Sequence, residues 1–195
     1  MTQEEIKNLS ALNAKAVTTS VIQMEAVECG AASLKMILGY YGKHISLEKL
    51  REECGVNRDG SKAINIIKAA RKFDLEPEGY KVEEIKELKD VEFPAIIHWN
   101  FNHFLVLEGF KKGVFYLNDP ALGHREVSYE DFNAAFTGVI LTFKKTENFK
   151  KSGKKSNLIN ALKERTKEEM ICAFSILRSK EASIKRTSDF GKSAK

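Results

Sequence analysis

One tryptophan, three prolines, three cysteines and no long apolar run are found in 195 residues. Each scarcity excludes something. Cys29, Cys54 and Cys172 are an odd number, and the N-terminus lacks the basic-then-apolar pattern of a secretory signal. A disulfide framework is therefore excluded and a reducing compartment is expected. No two cysteines form a C-x-x-C pair and the histidines add no zinc spacing, so no metal is expected. His98 and His124, with the carboxylates scattered around them, make no ligand set. No stretch approaches the roughly 18 apolar residues of a spanning helix. With 30% charged residues the chain reads as soluble and, by default, cytoplasmic. There is no G-x-x-x-x-G-K-S/T phosphate loop, so ATP hydrolysis by this chain alone is excluded and no cofactor is expected.

What is present suffices for one compact core plus a tail: 43% of residues are hydrophobic. The net charge of +5 hides a division. Residues 1–143 carry 17 Lys/Arg against 21 Asp/Glu, and residues 144–195 carry 15 against 6. A mildly acidic body precedes a basic tail. Such a tail suits nucleic acid or an anionic membrane surface, or is simply solvated. The body has no zinc finger, RNA-recognition motif or aromatic–basic stripe, so no nucleic-acid partner is expected.

Along the chain, residues 1–17 read as an N-terminal arm. Glu28 to Tyr41 has helical spacing, starting near Cys29 and ending at Gly42. Ser46 to Gly55 and a segment from Ser61 give two more helices. Lys81 to Leu88 reads as a short helix or an edge strand. Strands are expected over 94–98, 103–110 and 114–117, the last two forming a hairpin turned at Lys111-Lys112-Gly113. A short strand over 122–127, a helix from Ser128 to Ala135 and a strand over 139–143 complete an α+β domain, helices first and antiparallel sheet second. The domain is expected over 18–145. Residues 146–195 read as a basic linker and tail, with helical spacing over 158–177 and a disordered end.

The chemistry centres on Cys29. A helix N-terminus favours a thiolate, and Gly30 leaves the backbone N–H beside the sulfur unhindered. Gln23, six residues earlier, is placed to donate its side-chain amide to an oxyanion. Cys29 alone reads more readily as a buried structural thiol. His103 adds weight, since it opens the strand HFLVLEGF. Asp119 closes the partner strand, so the hairpin makes the two neighbours and Asp119 able to accept from the imidazole. Asn118-Asp119-Pro120 is also simply a good turn. Cys54, at a helix end before Gly55, reads as a core thiol, and His44 as a structural loop residue.

QMEAVECGAASLKMI (23–37), HWNFNHFLVLEGF (98–110) and YLNDPALG (116–123) together resemble the peptidase domain of peptidase-containing ATP-binding cassette transporters, the bacteriocin-processing, double-glycine leader peptidases. The resemblance spans about residues 18–145. It implies a papain-like cysteine peptidase fold, with Cys29, His103, Asp119 and Gln23 in the catalytic positions. It implies cleavage of a leader from a ribosomally made precursor peptide, of bacteriocin or lantibiotic type, after Gly-Gly or Gly-Ala. The expected partners are that leader, read as an amphipathic helix, and the membrane and ATP-binding domains of a transporter at the cytosolic face of the bacterial membrane. Trp99 and Phe101, beside His103, are expected to wall the narrow cleft or to be core aromatics. A catalytically inert leader-binding domain of the same fold is the alternative; loss of Cys29 or His103 would mark it, and both are present.

Overall fold

The computed structural model describes residues 15–58 and 60–153. Most of the expected arm, the expected helix over 158–177 and Cys172 lie outside the described residues. A 3-10 turn, Ala26–Glu28, runs directly into helix α1, Cys29–Tyr41. Gly42 ends α1 at φ 88°, a left-handed conformation that costs glycine nothing, and its N–H donates to the Gly39 carbonyl. Helix α2, Leu47–Glu53, is capped by Ser46, whose hydroxyl accepts from the Lys49 N–H at 3.3 Å. Helix α3, Ala63–Lys72, buries Ile66, Ala69 and Ala70 along one stripe. It begins two residues after Ser61, because Lys62 is still extended.

Strands β1 (Leu75–Lys81), β2 (Ala95–Trp99), β3 (His103–Lys111), β4 (Val114–Asp119), β5 (Gly123–Val127) and β6 (Phe136–Lys145) form one sheet. Its order is β1-β6-β2-β3-β4-β5, with every pairing antiparallel. β1 is an element the sequence pattern did not mark. It contains Pro77 and Gly79, which weaken a strand reading, and it lies at the sheet edge, where proline is tolerated. Lys81–Leu88 then gives way to a 3-10 turn, Ile85–Asp90, rather than continuing as a strand. β6 is longer than its apolar run, because Phe136 pairs before it and Lys144 and Lys145 after it.

Residues alternate across the sheet, so each strand feeds two cores. Ile96, Phe104, Val106, Leu141 and Phe143 face the helical layer, where Ala31, Leu34 and Leu38 of α1 are buried. Ile97, Trp99, Leu105, Leu107, Phe115 and Leu117 face the other way. There they are covered by Ile85, Leu88 and Phe132, the last on helix α4, Tyr129–Ala135. Phe115 stacks on Phe132 with ring centroids 3.8 Å apart.

Past Lys145 the chain stays on the fold for several more residues. The Thr146 N–H and hydroxyl both donate to the Asp74 carbonyl, Phe149 meets Tyr41 edge-on, and the His44 N–H donates to Ser152 at 2.7 Å.

The β3–β4 hairpin has a two-residue turn, Lys112 and Gly113, both at positive φ, with Lys111 opposite Val114. Gly109 pairs with Tyr116, but Leu107 pairs with Leu117. Glu108 is therefore an extra residue, and the register shifts by one beyond it. A one-residue shift changes which faces match. Continued to the strand ends, it sets Asp119 opposite Leu105 and on the face of His103. An unbulged hairpin would set Asp119 opposite Val106, on the wrong face.

Candidate active site

Cys29 is the first residue of α1 and is only 4% exposed. The helix start sits tightly on its neighbours. A Cβ on Gly30 would lie 2.9 Å from both Ile66 Cδ1 and Ser61 Cβ, so only glycine lets α1 approach α3 this closely. His103 begins β3 and stands across from Cys29. Its Nε2 meets Asp119 Oδ1 at 2.7 Å, and its other bond is to the Cys29 side chain. With Nε2 committed to Asp119, Nδ1 is the nitrogen left for the sulfur.

Burial by itself would push the His103 pKa down. The hydrogen bonds to Asp119 and Cys29, with the charges of both, outweigh it and carry the imidazole up to about 9. Asp119 is 2% exposed. Burial pushes its carboxyl up, but the bond to His103, the Ala121 N–H, and the charges of His103 and Arg125 hold it below the usual carboxylate range. Asp119 Oδ1 accepts from the Ala121 N–H at 2.8 Å, and Arg125 Nη2 lies 3.0 Å from Oδ2. Both carboxylate oxygens are thus engaged.

Gln23 is brought to the same place from the chain before α1. Its N–H donates to the Pro120 carbonyl at 2.9 Å, one residue past Asp119. Its side-chain Oε1 is buried without a hydrogen-bond partner among the described residues.

A groove of about 330 Å³ opens over the sulfur. Val27, Cys29, Gly60 and Ser61 line one side, His98, Phe101 and Asn102 the other. Phe101 is 83% exposed at φ 60°. Trp99 does not line this groove; of the two roles expected of it, cleft wall or core aromatic, it takes the second. Its neighbour in sequence, His98, points to the helical layer, so strand alternation turns Trp99 to the opposite face. There it is buried edge-on against Phe132, with the Arg125 guanidinium 5.3 Å from its ring.

Two residues here were not anticipated. Arg125 holds Asp119 from β5. Its one signal in sequence is an arginine two residues before the core residue Val127, at an inward register position. His98 contributes an acceptor. The Thr137 hydroxyl donates to the His98 carbonyl, so it must accept from His98 Nδ1–H at 3.0 Å, leaving Nε2 unprotonated. Burial, and then the nearby charge of His103, lower the His98 pKa and keep the ring neutral. Cys54 is a different kind of thiol: burial and then Glu53 push it up to about 12, so it stays protonated. No cluster able to hold a metal occurs among the described residues. No helix among them is long and apolar enough to cross a membrane.

Comparison with known proteins gives a consistent result. The chain is 36% identical to the colicin V secretion/processing ATP-binding protein CvaB of Escherichia coli, over 70% of this chain and 20% of that protein. It is 31% identical to the lactococcin-G-processing and transport ATP-binding protein LagD of Lactococcus lactis subsp. lactis, over 68% and 20%. The chain therefore spans about a fifth of the length of these relatives. Among solved structures, it is similar to a double glycine motif protease from an AMS/PCAT transporter in complex with the leader peptide. The identity is 53% and the TM-score 0.67, covering 68% of this chain and 95% of that one. The peptidase domain of Streptococcus ComA, a bi-functional ABC transporter, is 26% identical with a TM-score of 0.61, covering 65% and 97%. The fold is accordingly papain-like, a helical layer bearing the cysteine against an antiparallel sheet bearing the histidine and aspartate. The Peptidase C39 family model matches residues 18–148, the stretch that builds both sides of the groove, and this chain belongs to that family.

Proposed function

We propose that this chain is a cysteine endopeptidase domain that removes the leader of a ribosomally made precursor peptide after a double-glycine-type pair, Gly-Gly or Gly-Ala. The observation that carries the reading is the alignment of Cys29, His103 and Asp119 beside a groove, with the 2.7 Å His103–Asp119 bond fixing the imidazole. His103 takes the Cys29 proton, giving a thiolate–imidazolium pair. The thiolate attacks the carbonyl carbon of the small pair, and the oxyanion is held by the Cys29 N–H and the Gln23 side-chain amide. The backbone bond from the Gln23 N–H to the Pro120 carbonyl, one residue past Asp119, supports this by holding the Gln23 segment beside the site. His103 then protonates the leaving amine. Water, deprotonated by the same imidazole, attacks the thioester and frees the leader carboxylate. Asp119 keeps the ring in the useful tautomer throughout.

Gly60, which has no side chain, lines the groove with Cys29 and Ser61 and favours a thin substrate, and Phe101 lines it as well. Ile22, Met24 and Leu122 are 55%, 85% and 70% exposed, and the Gln23–Pro120 bond joins their two segments. They offer an apolar rest for one face of a helical leader. The relatives are secretion/processing and transport ATP-binding proteins, and one structural neighbour is the peptidase domain of a bi-functional ABC transporter, which supports an arrangement with membrane and ATP-binding domains. The same arrangement, at the cytosolic face of a bacterial membrane, is proposed for this chain.

Mass spectrometry of the chain with a synthetic double-glycine leader peptide tests the reading. Cleavage after the small pair is expected, blocked by alkylation of Cys29. Cys29→Ala should lose turnover by about 10⁵-fold or more while still binding the peptide, because the nucleophile is the group that cannot be replaced. Binding without cleavage by the unmodified chain would point to an inert leader-binding domain instead.

A further inference from the structure

Glu28, immediately before Cys29, has no exposed surface. A carboxylate is seldom so buried unless it is paired. Its Oε2 accepts from the backbone N–H groups of Met24 at 2.8 Å and Glu25 at 3.2 Å. Its Oε1 lies 2.8 Å from Arg51 Nη1. Arg51 belongs to α2 and also reaches Glu25 at 3.8 Å. One carboxylate therefore folds the segment before Cys29 back on itself and fastens it to a neighbouring helix.

That segment has Gln23 at one end and Cys29 at the other. In the reaction proposed above, these two residues supply the two oxyanion donors, on which this inference rests. The donors lie on one continuous piece of backbone, and their separation is set by how that piece is folded. A hydrogen-bonded oxyanion demands donors at about 2.7–3.1 Å from one point, so small changes in separation matter. Gln23 is fixed at its far side by Pro120; on the near side, the fixed group is Glu28.

We propose that Glu28, held by Arg51, is a positioning residue that sets the spacing of the oxyanion hole rather than the reactivity of the thiol. The two roles separate experimentally. Iodoacetamide alkylation needs the thiolate but forms no oxyanion, whereas peptide cleavage needs both. Cleavage of a double-glycine leader peptide and iodoacetamide alkylation are measured side by side for the wild type, Glu28→Gln, Arg51→Gln, Arg51→Lys, Gln23→Ala and Glu28→Gln/Gln23→Ala.

Glu28→Gln and Arg51→Gln should lower kcat about 10–100-fold with KM unchanged, the size expected when catalytic donors are misplaced. Alkylation should proceed at the wild-type rate. Arg51→Lys should restore most of kcat, and Gln23→Ala should cost little further in the Glu28→Gln background, since both act on one hole. If Glu28→Gln does not fold, Arg51→Gln, at a partly exposed position, carries the same comparison. A wild-type kcat in both variants overturns the proposal. So does alkylation that falls in step with cleavage, or full additivity with Gln23→Ala. A wild type that alkylates but does not cut the peptide overturns the peptidase reading beneath it, and this inference with it.

Discussion

Cys29 is held in place by shape, at a helix start where glycine and small residues let α1 press against α3. His103, across the groove, is held by charge: its partner Asp119 is gripped in turn by Ala121 and Arg125. The helical side has almost no freedom to lose, and a single added carbon would meet two atoms at 2.9 Å. The sheet side depends on a chain of ionic and hydrogen-bonded contacts whose strength changes with pH. Shape fixes where the Cys29 thiol is, and charge fixes the imidazole that faces it.

Mutation can break the two sides separately. Among changes that leave Cys29 in place, Asp119→Asn should have the largest effect, lowering kcat about 10²–10³-fold, within the range of positioned acid–base groups. It should also move the pH profile. In the wild type the imidazolium persists up to about pH 9, and kcat/KM should fall as pH rises through that value. Without the carboxylate, only Cys29 opposes the effect of burial, and the fall should come at lower pH. The same bonds act on stability. His103 is raised from 6.5, so its contribution is complete below about pH 6.5 and lost as pH rises through about 9. Asp119 is lowered from 3.8, so its contribution is present above that value and lost as pH falls. Urea unfolding across pH checks both signs.

Gly30→Ala attacks the side built by shape. Overpacking of this kind costs about 1–3 kcal/mol, and the resulting displacement of Cys29 should reduce kcat about 100-fold. Its activity should fall without any change in the pH profile, which distinguishes it from Asp119→Asn. Arg125→Gln is a milder test of the charged side. Losing one charge-assisted bond to Asp119 should lower kcat about tenfold and shift the alkaline limb slightly downward. Phe101→Ala touches neither side and should raise KM by less than about tenfold with kcat unchanged. An effect on kcat would show that the exposed ring helps order the reacting groups.

The placing of Cys29 at a helix start was legible because a helix start is a local pattern: small residues after Cys29, apolar spacing, and a glycine at the end. The pairing of His103 with Asp119 was legible because a tight turn brings hairpin ends together. The residues that complete the site come from farther away. Ser61 approaches Gly30 only when α3 packs on α1, and Arg125 meets Asp119 only when β5 joins the sheet. β1 was hidden because Pro77 and Gly79 are unfavourable in a strand unless it is an edge, and edges are a property of the sheet. For Trp99 the choice between cleft wall and core aromatic stayed open, because adjacency to His103 in sequence says nothing of which face a strand residue occupies.

Glu108, the extra residue of β3, is buried. Its carboxylate accepts from the N–H and hydroxyl of Thr18, so the segment leading to Gln23 is fastened at the bulge itself. Counting gives this a wider meaning. His103 and Asp119 are 16 positions apart, an even number. Across a two-residue turn, an even separation puts two side chains on opposite faces of a regular hairpin. One inserted residue reverses that parity. The distance in sequence between His103 and Asp119 therefore already demands an irregularity somewhere between them. A deletion at Glu108 should separate the pair as completely as removing the aspartate.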